Sequence, residues 1–235
     1  MVNYISNFHL LSILSPAIRA QPPDRDVRII FATCSAYMAS PPLFSGTEAA
    51  MNVKIWSPAK AYARSKLALM VFGMAFQRHL DAYKRPDGAP NNARVIFVDP
   101  GYTRTPGMRR YLSRGTLWGL ALYLALWQNA WLFLKSPDQG SQSFLYAAME
   151  ASLGRGTGGR LIKECMEVKV ARPDVTDEKG QKALWEGTEK FIERVEREEA
   201  VKKALSKDAE SPRKKAAKGR NRNAKAVKAE ASRST

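Results

Sequence analysis

Two short runs constrain the fold of this chain more than anything else in it: "VRIIFATCS", starting at Val27, and "RVIFVDPG", starting at Arg94. Both are rich in β-branched residues, and their apolar positions are consecutive instead of alternate. A strand with one face in water alternates, whereas a run apolar on both faces belongs in a sheet covered on both sides. Each run follows a helix-like segment. "VNYISNFHLLSILSPAIRA" carries apolar residues at helical spacing, with Pro16 near its end, and "PAKAYARSKLALMVFGMAFQRHLDAYK" is a long helix with a plain apolar face. The order helix, strand, helix, strand predicts an α/β fold with a doubly wound parallel sheet. "QPPDRD", "PDGAPNNA" and a polar, proline-containing stretch over about 39–58 are the connections.

The second half continues the pattern. Residues 116–134, "TLWGLALYLALWQNAWLFL", are almost entirely apolar, and "SPDQGSQSFLYAAMEA" opens with a helix start signal at Ser136 and Pro137. "GRGTGGRLIKE" reads as a glycine loop feeding a short strand, and "DEKGQKALWEGTEKFIERVEREEAVKKAL" as a polar amphipathic closing helix.

A chain of 235 residues holds one sizeable domain and a tail. The net charge of +16 is unevenly placed: residues 202–235 hold 12 Lys/Arg against 3 Asp/Glu, a surplus of nine. That segment has no aromatic residue and, after Leu205, only alanines and one valine as apolar residues. It cannot bury enough surface to offset its ordering entropy, so 202–235 is expected to be disordered or at best a transient helix, with the folded part over 1–200. Cys34 and Cys165 alone make neither a disulfide framework nor a metal-ligand cluster, and no metal site is expected. The first residues lack the charged region and cleavage site of a secretory signal.

Within the long helix, "AYARSK" places Tyr62 and Lys66 four apart, on one helix face. A lysine ammonium beside a tyrosine hydroxyl favours the phenolate and makes the tyrosine a candidate acid and base. The spacing alone is weak. It gains weight from its neighbours: "VNYISNFHLL", "RIIFATCSAY", "AYARSKLA", "VDPGYTRT", "SPDQGSQSFLYAA" and "GTGGRLIKEC" occur in one order over about residues 2–170. In that order the chain resembles the short-chain dehydrogenase/reductase family, and more closely its retinol-dehydrogenase-like branch. The resemblance implies a partial Rossmann-type sheet and a nicotinamide cofactor, NADP or NAD. It also implies oxidation or reduction of a lipophilic alcohol or ketone.

Carried over residue by residue, the resemblance makes Tyr62 the proton-exchanging group and Lys66 its partner, which also holds the nicotinamide ribose. Asn3 supports the proton relay. The substrate-orienting hydroxyl falls between two positions: gap-free register selects Cys34, and donor chemistry selects Ser35, a thiol being the weaker donor. Ser35 is the expectation. Pro100, Gly101, Thr103 and Thr105 match the family's loop beside the nicotinamide, and Cys165 is expected to pack. The family's opening strand and Thr-Gly-x-x-x-Gly-x-Gly loop have no counterpart, as if the chain began about a hundred residues into the domain. It then reads as a piece of an active reductase, as a short inactive form acting at a membrane surface, or as a chain completed by a partner. The first is favoured, because a central strand stripped of its neighbours exposes an unpaired edge.

The apolar run 116–134 is broken only by Thr116, Gln128 and Asn129, contains Trp118, Trp127 and Trp131, and is flanked by Arg109, Arg110, Arg114 and Lys135. It is expected to be a lid over a lipophilic substrate that touches a membrane or lipid-droplet surface. The expected location is the cytoplasmic face of the endoplasmic reticulum or a lipid droplet, with cytosol as the alternative. A homo-oligomer is an open reading. Nucleic acid is not an expected partner, because the tail has no stacking platform and no reading element accompanies it.

Overall fold

The computed structural model describes residues 3–43, 57–107, 113, 116–125 and 134–231, with side chains described to residue 204. The chain divides into a compact unit ending at Glu186 and a second unit from Gly187 onward. In chain order the elements are α1 (Ile5–Arg19), β1 (Val27–Ala32), a 3-10 turn (Ser35–Ala39), α2 (Pro58–Ala82), β2 (Ala93–Asp99) and α3 (Leu117–Ala125). They continue with α4 (Pro137–Met149), a second 3-10 turn (Ala151–Gly154), β3 (Arg160–Lys163), β4 (Met166–Val168), α5 (Pro173–Thr176) and α6 (Glu178–Ala231).

The four strands form one sheet in the order β1-β2-β3-β4. Strands β1, β2 and β3 are parallel, and β4 returns antiparallel beside β3. Strand β2 is the centre, and the doubly apolar pattern is satisfied there. Val95 and Phe97 point to the α2 side, Ile96 and Val98 to the other, and all four are fully buried. On the second face Ile96 and Val98 pack with Ile162 of β3, Ala147 of α4 and Leu153. Strand β1 is different. Of its six residues only Phe31 is buried, because β1 has a single neighbour in the sheet and its outer edge is uncovered among the described residues.

The α2 side is closed by aromatic packing. Phe72 lies 4.9 Å from Phe8 of α1, 5.9 Å from Phe31 and 5.8 Å from both Phe76 and Trp185, centroid to centroid. Such tilted and edge contacts add roughly 0.5–1.5 kcal/mol per pair beyond area burial. Gly73 makes the approach possible, since a Cβ there would stand 2.6 Å from the Phe97 ring. Helix α4 starts as its sequence signal requires, with a capping box: Gln139 N–H donates to Ser136 Oγ, and the Gln139 side chain accepts from Ser136 N–H.

Two details were not legible in the sequence. The turn from Ser35 to Ala39 is held by Arg172, whose guanidinium donates to the carbonyls of Tyr37 (3.1 Å) and Ser40 (2.5 Å) and pairs with Asp174. The second is the β3–β4 hairpin, made by Glu164 and Cys165 at φ 53° and 64°. Left-handed conformations at two successive positions are what a tight hairpin demands, usually supplied by Asn-Gly.

In the second unit α6 continues as helical backbone through the basic stretch to Ala231. Alanine, lysine and arginine dominate there, and all are strong helix formers. Helix α3 takes the first part of the expected lid. Residues 126–133 lie outside the described residues, as do Arg109, Arg110 and Arg114, and with them Trp127, Gln128, Asn129 and Trp131. Among the described residues no helix is long and apolar enough to cross a membrane.

Candidate active site

The candidate residues converge at the carboxyl ends of β1 and β2, the place where parallel α/β sheets bind ligands. Tyr62 and Lys66 come from the first turns of α2, whose start is set by Pro58 in its first turn. Tyr62 is 46% exposed. Its hydroxyl accepts a hydrogen bond from the Cys34 thiol at 3.4 Å. Lys66 Nζ sits 5.5 Å from the centroid of the Tyr62 ring and donates to the Ala32 carbonyl at the end of β1, at 3.0 Å.

Cys34, not Ser35, stands beside the tyrosine. The Ser35 hydroxyl turns the other way and donates to Asp99 Oδ2 at 2.6 Å. Gap-free register therefore matches the geometry, and the preference for a hydroxyl donor does not. The chain changes conformation between them: Cys34 is the extended residue before the 3-10 turn and Ser35 its first residue, so the two side chains point to different partners.

The electrostatics also differ from the expectation that Lys66 draws the tyrosine toward its phenolate. The Tyr62 hydroxyl is pushed well above its ordinary value. Partial burial is the largest cause, followed by its hydrogen bond with Cys34, the charge of Cys34 and the charge of Asp99. Burial pushes Lys66 down, against the opposing pull of Cys34 and Asp99. The ammonium donates to the Ala32 carbonyl, and Lys66 is not among the causes that move Tyr62.

Asn3 joins from the opening of α1. Its side-chain amide donates to Ser65 Oγ at 3.1 Å, and Ser65 Oγ in turn donates to the Tyr62 carbonyl at 2.7 Å. Asn3 thus touches the turn that carries Tyr62 and Lys66. Pro100 and Gly101 follow β2, with Gly101 at φ +75° and its N–H donating to Asp99 Oδ1 at 3.0 Å. Thr103 lies farther along, bridged through its backbone to Lys135, with its methyl against the Gly140 position. Thr105 is exposed, and its N–H donates to the Thr103 carbonyl at 2.9 Å. Tyr62, Lys66 and Cys34 are brought together, Asn3 joins through Ser65, and Ser35 and Gly101 meet at Asp99, while Thr103 packs against α4. Cys165 is partly buried, at the hairpin tip, 3.8 Å from Ser143 Oγ.

Asp99 is the residue that the sequence reading passed over. A signal existed: "VDPG" puts a carboxylate at the last position of a strand otherwise apolar on both faces. Among the described residues no group of three or more His, Cys, Asp or Glu is placed to hold a metal ion.

No family model matches the chain. It is 38% identical over 202 residues to the uncharacterised oxidoreductase pbr1 of Schizosaccharomyces pombe, a match covering 86% of this chain and 54% of that protein. It is 33% identical over 190 residues to the polyprenol dehydrogenase of Mus musculus, covering 78% and 50%. It is 25% identical over 191 residues to retinol dehydrogenase 14 of Homo sapiens, covering 81% and 51%. The chain spans about half the length of these relatives. Its fold matches the crystal structure of an uncharacterised protein from Mycobacterium paratuberculosis with a TM-score of 0.50 at 21% identity, over 81% of this chain and 57% of that one. With the ordered motifs, the parallel sheet and the residues gathered at its carboxyl edge, these likenesses place the chain: it belongs to the short-chain dehydrogenase/reductase family and is similar to its retinol-dehydrogenase-like branch.

Proposed function

We propose that this chain carries the reaction centre of a nicotinamide-dependent oxidoreductase that interconverts a lipophilic alcohol and its carbonyl compound. The observation that carries this reading is the contact of the Cys34 thiol with the Tyr62 hydroxyl at the sheet's carboxyl edge, with Lys66 alongside. The residues fit a nicotinamide nucleotide, NADP or NAD. Gly101 turns the chain at φ +75° just after β2, and Lys66 spends one of its three donors on Ala32 and keeps two for a ribose. Lys66, Pro100, Gly101, Thr103 and Thr105 would hold the group, which when bound supplies hydride transfer.

The chain's own residues then divide the remaining work. Tyr62, held protonated by its surroundings, donates its proton to the substrate oxygen in reduction and accepts it in oxidation. Cys34 steadies that oxygen. Ser35 supports the site through Asp99, and Asn3 fixes the turn bearing Tyr62 through Ser65.

The sign of the Tyr62 shift gives a pH expectation. A raised value keeps the proton on the hydroxyl to higher pH, so reduction stays supported through neutral and mildly alkaline pH. Oxidation, which needs the phenolate, keeps rising past the ordinary tyrosine range near 10. Cys34→Ser takes away the influence of Cys34 on Tyr62 and moves the oxidation limb to lower pH, read from rate against pH in both directions.

A lipophilic substrate is supported by helix α3, where Leu117 and Trp118 are 85% and 88% exposed. Such a helix suits contact with a lipid surface, to which the basic segment 202–235 adds charge. Polyprenol and retinol, named for two of the relatives, are the substrate class to try first. The deciding experiment is calorimetric titration of the 235-residue chain with NADP and with NAD, alongside Tyr62→Phe. Binding tighter than about 100 μM (roughly −5.5 kcal/mol), with turnover lost in Tyr62→Phe but binding kept, supports the reading. A folded sample that binds neither nucleotide overturns it.

A further inference from the structure

Asp99 is a carboxylate only 4% exposed, at the last position of the central strand. Burying such a group is costly unless its oxygens are bonded, and among the described residues no lysine or arginine lies at ion-pair distance from it. Two other partners take its oxygens. Oδ2 accepts from Ser35 Oγ at 2.6 Å, in the turn after β1, and Oδ1 accepts from Gly101 N–H at 3.0 Å, in the loop after β2. Short bonds to a carboxylate are about twice as strong as neutral ones. The second bond closes an Asx-type turn, which brings Gly101 to φ +75°. Behind Gly101 stands the Glu164 side chain, 2.6 Å from where a Cβ would lie, and Glu164 is itself paired with Lys135 at 3.0 Å. The Asp99 carbonyl also accepts from Glu164 N–H at 3.3 Å.

We propose that Asp99 is a positioning residue that couples the substrate-side turn at Ser35 to the cofactor-side loop at Gly101, so that a change at either end is felt at the other. Its importance for turnover rests on the oxidoreductase reading; its existence does not. The charge of Asp99 also reaches Tyr62 and Lys66, raising both. One carboxylate thereby fixes the two loops that flank the reacting groups and biases those groups electrostatically. An apolar residue would fill the same space and close neither bond.

The test begins without cofactor. Amide hydrogen exchange is measured at Gly101 in the 235-residue chain, with Val98 as a reference for general loosening. Ser35→Ala removes a side chain whose hydrogen bond goes to Asp99, not to Gly101. Coupling predicts that it speeds Gly101 exchange about fivefold or more while Val98 is unchanged. Ser35→Thr, which keeps the hydroxyl, restores protection. In an Asp99→Ala background Ser35→Ala adds nothing, the non-additivity expected of one shared network. Unchanged Gly101 exchange in Ser35→Ala, or independent addition of the two effects, overturns the proposal. A second readout is nucleotide affinity: Ser35→Ala weakens it severalfold through the Gly101 loop. If the parent chain binds no nucleotide yet the exchange coupling is present, the oxidoreductase reading fails and the coupling stands.

Discussion

Helices α2 and α3 both carry runs of large apolar side chains, and they meet opposite fates. In α2 the middle of the helix is buried all round, from Leu67 to Gly73, and Leu67, Met70, Val71, Phe72, Phe76 and Leu80 are fully buried. In α3 the apolar residues run around the helix, and only Tyr123 is buried; Leu117, Trp118, Leu122 and Leu124 face outward. The difference lies in what surrounds each helix, since α3 is the more apolar of the two. A helix apolar all round requires apolar surroundings, which the fold supplies to the middle of α2 and, among the described residues, does not supply to α3. One helix is thus part of the scaffold that holds Tyr62, and the other lies at the surface of the described residues.

The comparison can be broken first at Phe72. Phe72→Ala empties the centre of the aromatic cluster and should cost about 3–5 kcal/mol of stability, read as a lowered denaturation midpoint. A cost below about 1 kcal/mol would mean that α2 is not the scaffold. Next is Gly73→Ala, which forces a methyl into the Phe97 ring. Overpacking of this kind costs about 1–3 kcal/mol, with unfolding monitored in the same way. Last comes α3: Trp118→Ala with Leu122→Ala should change stability by no more than about 0.5 kcal/mol. The same pair should sharply reduce co-sedimentation with vesicles of phosphatidylcholine and an anionic lipid. A large loss of stability there would mark α3 as part of the packed core instead.

Much of the scaffold was legible because its signals are local. The two doubly apolar runs became β1 and β2, the striped segment became α2, and Ser136 with Gln139 announced the start of α4. What stayed hidden depends on contacts distant in sequence. The half-buried state of β1 follows from its edge position, which no property of "VRIIFA" encodes. The β3–β4 hairpin uses Glu164 and Cys165 where a turn signature would have shown Asn and Gly. At the site, Tyr62 and Lys66 were readable from a spacing, since one helix carries both. Whether Cys34 or Ser35 meets Tyr62 depended on where the 3-10 turn begins, and chemical preference chose the other residue. Asp99 went unread because its partners, Ser35 and Gly101, come from two different loops and meet only when the sheet forms.

Helix α2 also carries Gln77, buried and bonded to the central strand: its side-chain oxygen accepts from Val95 N–H at 2.7 Å, and its amide donates to Asp81 at 2.9 Å. Gln77 lies fifteen positions beyond Tyr62, roughly 22 Å along the helix axis. It works as a key in a keyway. A slip of one residue would break the bond at Val95 and swing Tyr62 through about 100°, far outside any productive angle. The placement of Tyr62 is therefore locked against sliding or turning of its helix. Change in chemistry or substrate has to come through the loops and the exposed helix around a shaft whose rotation is locked.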